Sequence, residues 1–355
     1  MRIQSVTTWK EHFLLTKPYT IAYETFDHVE NIFVRLNAGD GSFGIGVASP
    51  APDVTAESAT DCQNALNQYL EPLIQGQDVR HLRSLVRELG DKMASTPAAM
   101  SAVDMALHDL LAKVMGIPLV DLLGRCHESL ATSVTIGIKS IQETLEEASD
   151  YLGQGFKILK IKIGNDLDGD MERLFKLREH VGKHIPIRVD INQGYTREVF
   201  SAFVQQSVSL DLEFVEQPLK HDDIEGMSML SGSIRKQVAA DESLHGVADA
   251  FKLAVSPQPF GIFNIKLMKC GGLAPGTQIA DIAHLAGIDV MWGCMDESVV
   301  GISAALHTAL SSPATRYLDL DGHLDLAQDI ADGGFKIHEG RLYVLDKPGL
   351  GITLK

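Results

Sequence analysis

Along the first fifty or so residues, apolar and polar side chains alternate with a period of two, in IQSVTTW and again in NIFVRLNAGDGSFGIGVAS. This pattern predicts antiparallel strands, with AGDG as a hairpin turn. From Glu57 to Leu123 the period lengthens. PAAMSAVDMALHDLLAKVMG carries alanine and larger apolar residues at helical spacing and meets a stop at Gly116, so helices packed on the first sheet are predicted. Beyond Gly124, short β-rich segments recur with helical stretches between them: TSVTIGIK, ILKIKIG, IPIRVDI, LEFVEQP, QVAADES, FNIKLMK, IDVMWGC and RYLDLD. Alternation of strand and helix implies parallel β/α units, and eight of them imply a barrel of α/β class. Near the end, GRLYVLDKPGLGI predicts one more strand and a turn-rich tail that returns to the N-terminal region. A chain of 355 residues has room for such a barrel and a smaller second domain.

Charge narrows the range of partners. With 31 basic and 47 acidic side chains the net charge is −16, which disfavours nonspecific attraction to nucleic acid or an anionic membrane. The start, MRIQSVTTWKEHF, lacks the charged flank, apolar core and small-residue cleavage site of a secretory signal, and no apolar run is long enough to span a bilayer. The four cysteines, Cys62, Cys126, Cys270 and Cys294, show neither metal-ligand spacing nor a dense disulfide framework. A cytoplasmic protein is expected, with a small-molecule substrate, no nucleic-acid or membrane partner, and assembly as a homo-oligomer.

Three acids share one phase of the strand pattern. Asp190, Glu216 and Asp241 each follow an apolar run, in RVDIN, FVEQP and AADES, at separations of 26 and 25 residues, one β/α unit apiece. Taken singly, each could cap the helix that follows it. Equivalent ends of successive barrel strands open on one face, however, so the spacing brings three carboxylates together. Their mutual repulsion calls for a hard divalent cation with oxygen ligands. Mg²⁺, which also keeps positions for water or substrate, is the expected cofactor, one per chain.

The lysines follow the same phase. In FKILKIKIG, period-two alternation places Lys160 and Lys162 on one strand face, and Lys266 in FNIKLMK lies 25 residues beyond Asp241. Strands two and six of an eight-stranded barrel are four positions apart, so Lys162 and Lys266 are expected to face each other across the mouth. A nearby cation and partial burial destabilise an ammonium and make it a usable base. Lys160 and the metal would stabilise the enediolate formed when a carbon next to a carboxylate ionises. One lysine removes that proton, and the opposite lysine returns one to the other face, inverting the centre. Lys157, Lys252 and Lys269 are read as ordinary lysines with solvated ammonium groups. None of the 13 histidines forms a close ligand pair; His245 and His307 are read as packing residues, and Cys294 as a residue that gives shape to the mouth.

The set KILKIKIG, RVDIN, VEQP, ADES and NIKLMKCGG, in its order and spacing, resembles the muconate-lactonising branch of the enolase superfamily over nearly the whole chain. Lysine bases working beside Mg²⁺ are the known chemistry of that superfamily. The resemblance implies a modified TIM barrel, (β/α)7β, with an N-terminal α+β capping domain completed by the C-terminal segment. The expected divisions are 1–124 for the cap, 125–325 for the barrel and 326–355 for the returning segment. Within the branch, RYLDLDG resembles the Asp-x-Asp signature of dipeptide epimerases. By that resemblance, Asp319 and Asp321 hold the free ammonium of an L,L-dipeptide whose carboxylate meets the metal, and Thr135 on the first barrel strand touches the substrate.

The resemblance also bears on specificity. In Ala-Glu epimerases a basic residue stands near the end of the T-K-P-[FY] loop, where LTKPYTIAYE has Glu24, and Asp296 in MWGCMDES takes a position expected to be apolar in that group. Either these two acids attract cationic side chains of the dipeptide, or they are solvated acids of an acid-rich chain. The same scaffold also supports o-succinylbenzoate synthases, muconate cycloisomerases and N-acylamino acid racemases, whose substrates bring no ammonium for Asp319 and Asp321. A barrel that only binds is a further alternative, since fold alone does not imply catalysis.

Overall fold

The computed structural model describes residues 1–20 and 25–355. The alternating N-terminal segment forms three antiparallel strands, β1 (Ile3–Thr20), β2 (Thr25–Ala38) and β3 (Phe43–Ala48), joined in that order. Their inward side chains, among them Ile32, Val34, Ile45 and Val47, are fully buried. The helix Pro97–Met115 packs on this sheet. Its approach is close because β3 presents Gly44 and Gly46 to it: a Cβ on either would run into the carbonyl oxygen of Ala106 or Ala102. The helix opens with Pro97 in its first turn, where the buried Glu57 carboxylate accepts from the Ala98 N–H, and closes at Gly116 with φ 72°.

After the short strand β4 (Leu130–Ala131), all eight predicted barrel segments are strands: β5 (Val134–Ile136), β6 (Leu159–Lys162), β7 (Ile187–Asp190), β8 (Phe214–Glu216), β9 (Val238–Ala240), β10 (Ile262–Ile265), β11 (Asp289–Gly293) and β12 (Thr315–Asp319). They form one parallel sheet in chain order. Its two edges meet where Ser133 N donates to Leu318 O at 3.1 Å and Leu320 N donates to Thr132 Oγ1 at 2.9 Å. Helices fill every connection between successive strands, whereas β12 runs into the short turn Gly322–Asp325, giving the (β/α)7β pattern.

Beneath the mouth, the barrel is plugged by Phe214, Ala239, Ile262, Met291 and Tyr317. Arg188, two residues before Asp190 and therefore on the same inward face, lies with its guanidinium 5.2 Å from the Phe214 ring and 5.1 Å from the Tyr317 ring. It donates to Leu318 O at 2.6 Å and Ser133 Oγ at 3.1 Å, so this buried cation is also a strut.

The last segment holds β13 (Ala331–Gly333), β14 (Phe335–His338), β15 (Arg341–Val344) and β16 (Ile352–Leu354). The β14–β15 hairpin pairs with β4, and β13 pairs with β16. Asp109, buried on the long helix, accepts from Leu350 N at 2.8 Å and from Ile45 N at 2.9 Å, tying the tail and the first sheet to one carboxylate. Among the described residues, no helix is long and apolar enough to cross a membrane.

Candidate active site

Because the parallel strands run in chain order, their C-terminal ends form one rim. Lys162, Asp190, Glu216 and Asp319 are the last residues of β6, β7, β8 and β12, while Asp241 and Lys266 stand one residue past β9 and β10. At the centre lies Lys160, 3% exposed. Its Nζ is 2.8 Å from Glu216 Oε2, 2.8 Å from Asp319 Oδ2 and 3.1 Å from Asp190 Oδ2. Burial opposes the charge of this ammonium, but Asp190, Asp319 and Glu216 outweigh it and hold the pKa well above the usual lysine range. The three acids thus favour the ammonium form of Lys160.

Asp241 is engaged by two other lysines. Lys266 Nζ donates to Oδ2 at 2.8 Å, and Lys269 Nζ donates to Oδ1 and, at 2.6 Å, to the Asp241 carbonyl oxygen. Burial alone would raise the Asp241 carboxyl; Lys266 and Lys269 overcome it and hold it well below its usual range. Each carboxylate is thus turned onto a lysine. Among the described residues, no three His, Cys, Asp or Glu side chains converge closely enough to grip an ion as they stand.

The donor set nonetheless fits Mg²⁺. All three side chains offer hard oxygen atoms on successive strand ends, and Glu216 is under-compensated there. Burial, then repulsion from Asp190, pushes its carboxyl up to about 8 against the pull of Lys160, and Asp241 adds to the repulsion. Glu216 Oε1 accepts from Asn264 Nδ2 at 2.7 Å, whereas Oε2, though within ion-pair distance of Lys160, makes no hydrogen bond among the described residues. A hard dication would satisfy that oxygen and relieve the repulsion.

The two outer lysines differ. Lys162 is half-buried and forms no ion pair among the described residues, while Lys266 is tied to Asp241. Strands β6 and β10 are four apart in the eight-strand order, which sets the two lysines on opposite sides of the rim. Space for Lys266 comes from Gly293 on β11: a Cβ there would stand 3.1 Å from Lys266 Cε and 2.6 Å from Asn264 Oδ1.

At the last strand, Asp319 is bound by Lys160 and accepts from Ser133 Oγ at 2.6 Å. Asp321 Oδ2 accepts from the Thr135 N–H at 2.6 Å, so Thr135 meets the site through its backbone. No cation pairs with Asp321 among the described residues. Burial, then Asp319, pushes its carboxyl up to about 6. Cys294 lies alongside, its Sγ 3.2 Å from Asp319 O; burial and then Asp321 hold the thiol well above its usual range, which disfavours the thiolate. Asp296 is half-buried, and its carbonyl oxygen accepts from Ser49 Oγ at 3.0 Å, docking the loop after β3 onto the loop after β11. Glu24 lies outside the described residues.

The reading of Lys269 as a solvated surface lysine is corrected. It is 4% exposed and sits against Asp241, whereas Lys157 and Lys252 are exposed. Its place on the one-turn helix Leu267–Cys270, three residues after Lys266, returns its stem to the same acid, a spacing visible in NIKLMK. The sequence reading also passed over Asn264, two residues before Lys266 on the inward face, and Glu297. The Glu297 carboxyl is buried and pushed up to about 8, with Oε1 accepting from Met295 N at 3.0 Å and Oε2 without a hydrogen bond among the described residues.

Two family profiles match the chain. Residues 3–124 match the mandelate racemase/muconate lactonizing enzyme N-terminal domain, and residues 143–355 match an enolase C-terminal domain-like profile. The chain belongs to the mandelate racemase/muconate lactonizing enzyme family of the enolase superfamily. It is 55% identical over 352 residues to an L-Lys-D/L-Arg epimerase of Desulforapulum autotrophicum, covering 99% of each chain. It is 32% identical to an L-Ala-D/L-Glu epimerase of Bacillus subtilis, covering 99% of this chain and 97% of that one. A crystal structure of a Methylococcus capsulatus dipeptide epimerase with Mg and the dipeptide L-Arg-D-Lys superposes with a TM-score of 0.97 at 50% identity, covering 99% of this chain and 100% of that one.

Proposed function

We propose that this chain is a magnesium-dependent dipeptide epimerase that inverts the α-carbon of the C-terminal residue of an L,L-dipeptide and favours cationic dipeptides. The observation that carries the reading is the placement of Lys162 and Lys266 four strands apart on one rim, with three carboxylates and Lys160 between them. Two relatives at 50% identity or above are L-Lys-D/L-Arg epimerases, which supports the cationic preference.

Asp190, Glu216 and Asp241 would hold Mg²⁺. When bound, the ion supplies positive charge for the substrate carboxylate and for the negative charge that builds on it as the α-proton leaves. Lys160, fixed as an ammonium, adds a second positive charge at the same point. Lys162 removes the α-proton on one face and Lys266 delivers a proton on the other, their roles exchanging in the reverse direction. Asp321, which has no paired cation among the described residues, takes the dipeptide ammonium with Asp319 beside it, and the Thr135 N–H fixes the Asp321 carboxylate. Asp296, and Glu24 on the segment before β2, supply negative charge for a Lys or Arg side chain.

The same reading assigns residues 1–124 to a capping domain, 125–325 to the barrel and 326–355 to a segment that completes the cap. The Asp109 bonds to Ile45 and Leu350 support that division. A cytoplasmic homo-oligomer completes the proposal, and light scattering of the purified chain tests its assembly. The activity is tested by incubating L,L-dipeptides in D₂O with Mg²⁺ and following the α-proton of the second residue. Exchange of that proton with appearance of the L,D product is expected, fastest when the side chains are Lys or Arg. No exchange across a broad dipeptide library would remove the assignment.

A further inference from the structure

We propose that Lys269 is a positioning residue that fixes the backbone and one oxygen of Asp241, so that only the other oxygen has to pass from Lys266 to the divalent cation; this rests on the metal reading above. A buried ammonium is costly unless each of its three N–H donors finds an acceptor. At Lys269 all three do. Nζ meets Asp241 Oδ1, the Asp241 carbonyl oxygen at 2.6 Å and the Asn264 carbonyl oxygen at 3.4 Å, and the side chain is closed off from solvent.

The pattern of these bonds gives them a purpose beyond neutralisation. Lys269 takes Oδ1 and the main chain of the same residue, so it fixes both the backbone and the rotamer of Asp241, and Oδ2 is left on the side of Lys266 and the mouth. The Asn264 whose carbonyl it holds also donates from its side chain to Glu216 Oε1. One ammonium therefore ties together the ends of β9 and β10 and, through Asn264, the neighbouring acid on β8. Groups that orient metal ligands in this way contribute about 10- to 100-fold to metal affinity.

The alternative role, a plain counter-charge, has the opposite signature. A counter-charge competes with Mg²⁺ for Asp241, so its removal would tighten Mg²⁺ binding; loss of an orienting group weakens it. MgCl₂ is titrated calorimetrically into the full chain without dipeptide, using wild type, Asp241→Asn, Lys269→Gln and Lys269→Met, each checked for fold by circular dichroism. Weakening of Mg²⁺ affinity by about 10-fold or more in a folded Lys269 variant is expected, with the Mg²⁺-induced rise in Tm reduced in parallel. Unchanged or tighter Mg²⁺ binding in the folded Lys269 variants, with Asp241→Asn impaired, overturns the positioning role alone. Failure of both Lys269 variants to fold overturns it as well, since Lys269 would then serve the stability of the rim. If Asp241→Asn binds Mg²⁺ as wild type does, the metal reading itself fails.

Discussion

Lys160 Nζ and Asp319 Oδ2 lie 2.8 Å apart, joining strand β6 to strand β12 through a pair closed off from solvent. The same ammonium reaches Asp190 and Glu216, so two acids proposed for the metal and one proposed for the substrate amine, Asp319, share one cation. Removing one member of a buried ion-paired set leaves uncompensated charge, at a cost of about 3–5 kcal/mol. Lys160→Met is expected to lose stability on that scale in urea without Mg²⁺ and to regain part of it when Mg²⁺ is added. An unchanged urea midpoint would show that the ammonium is not the centre of the cluster.

Among the described residues no cation lies within ion-pair distance of Asp321, and its carboxyl is pushed up to about 6 by burial and by Asp319. A charge-assisted bond to an ammonium contributes about 1.5–3 kcal/mol, so Asp321→Asn is expected to lower kcat/KM for free dipeptides by about 10- to 100-fold. N-acetylated dipeptides, already poor, should be little affected. Protonation removes the carboxylate charge, so substrate binding should weaken as pH falls through about 6 in wild type and lose that step in the variant. Equal losses for free and acetylated substrates would argue against an ammonium contact.

Gly293 matters for what it lacks. A methyl group there would stand 2.6 Å from Asn264 Oδ1 and 3.1 Å from Lys266 Cε, forcing both to move. Lys266 has to give by only a few tenths of an ångström; since misplacing a reacting group by about 1 Å can cost about 100-fold in rate, Gly293→Ala should lower kcat by about 3- to 10-fold with a smaller change in KM. Wild-type turnover in Gly293→Ala would mean that Lys266 needs no such clearance.

His307 is fully buried and accepts from the Val120 N–H at 2.9 Å, and burial lowers its pKa to about 4. A histidine held neutral by the fold and charged in the unfolded chain stabilises above its unfolded pKa, near 6.5, and that stability is lost as pH falls toward 4. At about 1.4 kcal/mol per unit, its loss across this window amounts to about 3 kcal/mol. The difference between wild type and His307→Gln in urea should therefore change with pH between 6.5 and 4. A constant difference would exclude His307 as the source.

The eight barrel strands and the rim acids were legible because both follow local periodicities: two along a strand, and about 25 residues per β/α unit around the barrel. The helix Pro97–Met115 was legible from its alanine-rich pattern, but its approach to β3 depends on Gly44 and Gly46, which look in sequence like ordinary turn or strand-weakening residues. Besides its hairpin neighbour β14, the GRLYVLD strand pairs with β4, more than two hundred residues earlier, and no local pattern encodes such a pairing. Lys269 was misread because a lysine on an amphipathic turn usually keeps its head in water, and only the tertiary placement of Asp241 reverses that. Arg188 was read as part of an apolar run. The period of two already placed it inward with Asp190, yet its partners Phe214, Tyr317 and Leu318 come from other strands.

The opposition of Lys162 and Lys266 is tested most directly by single-lysine variants in D₂O with stereodefined substrates. Lys162→Ala and Lys266→Ala, each with Mg²⁺, are given an L,L-dipeptide and its L,D epimer, and deuterium uptake at the second α-carbon is followed separately from inversion. Each variant is expected to lose inversion and to retain exchange with one epimer only, the two variants keeping opposite epimers. Loss of exchange with the same epimer in both variants, or inversion surviving in either, would contradict two bases acting from opposite faces.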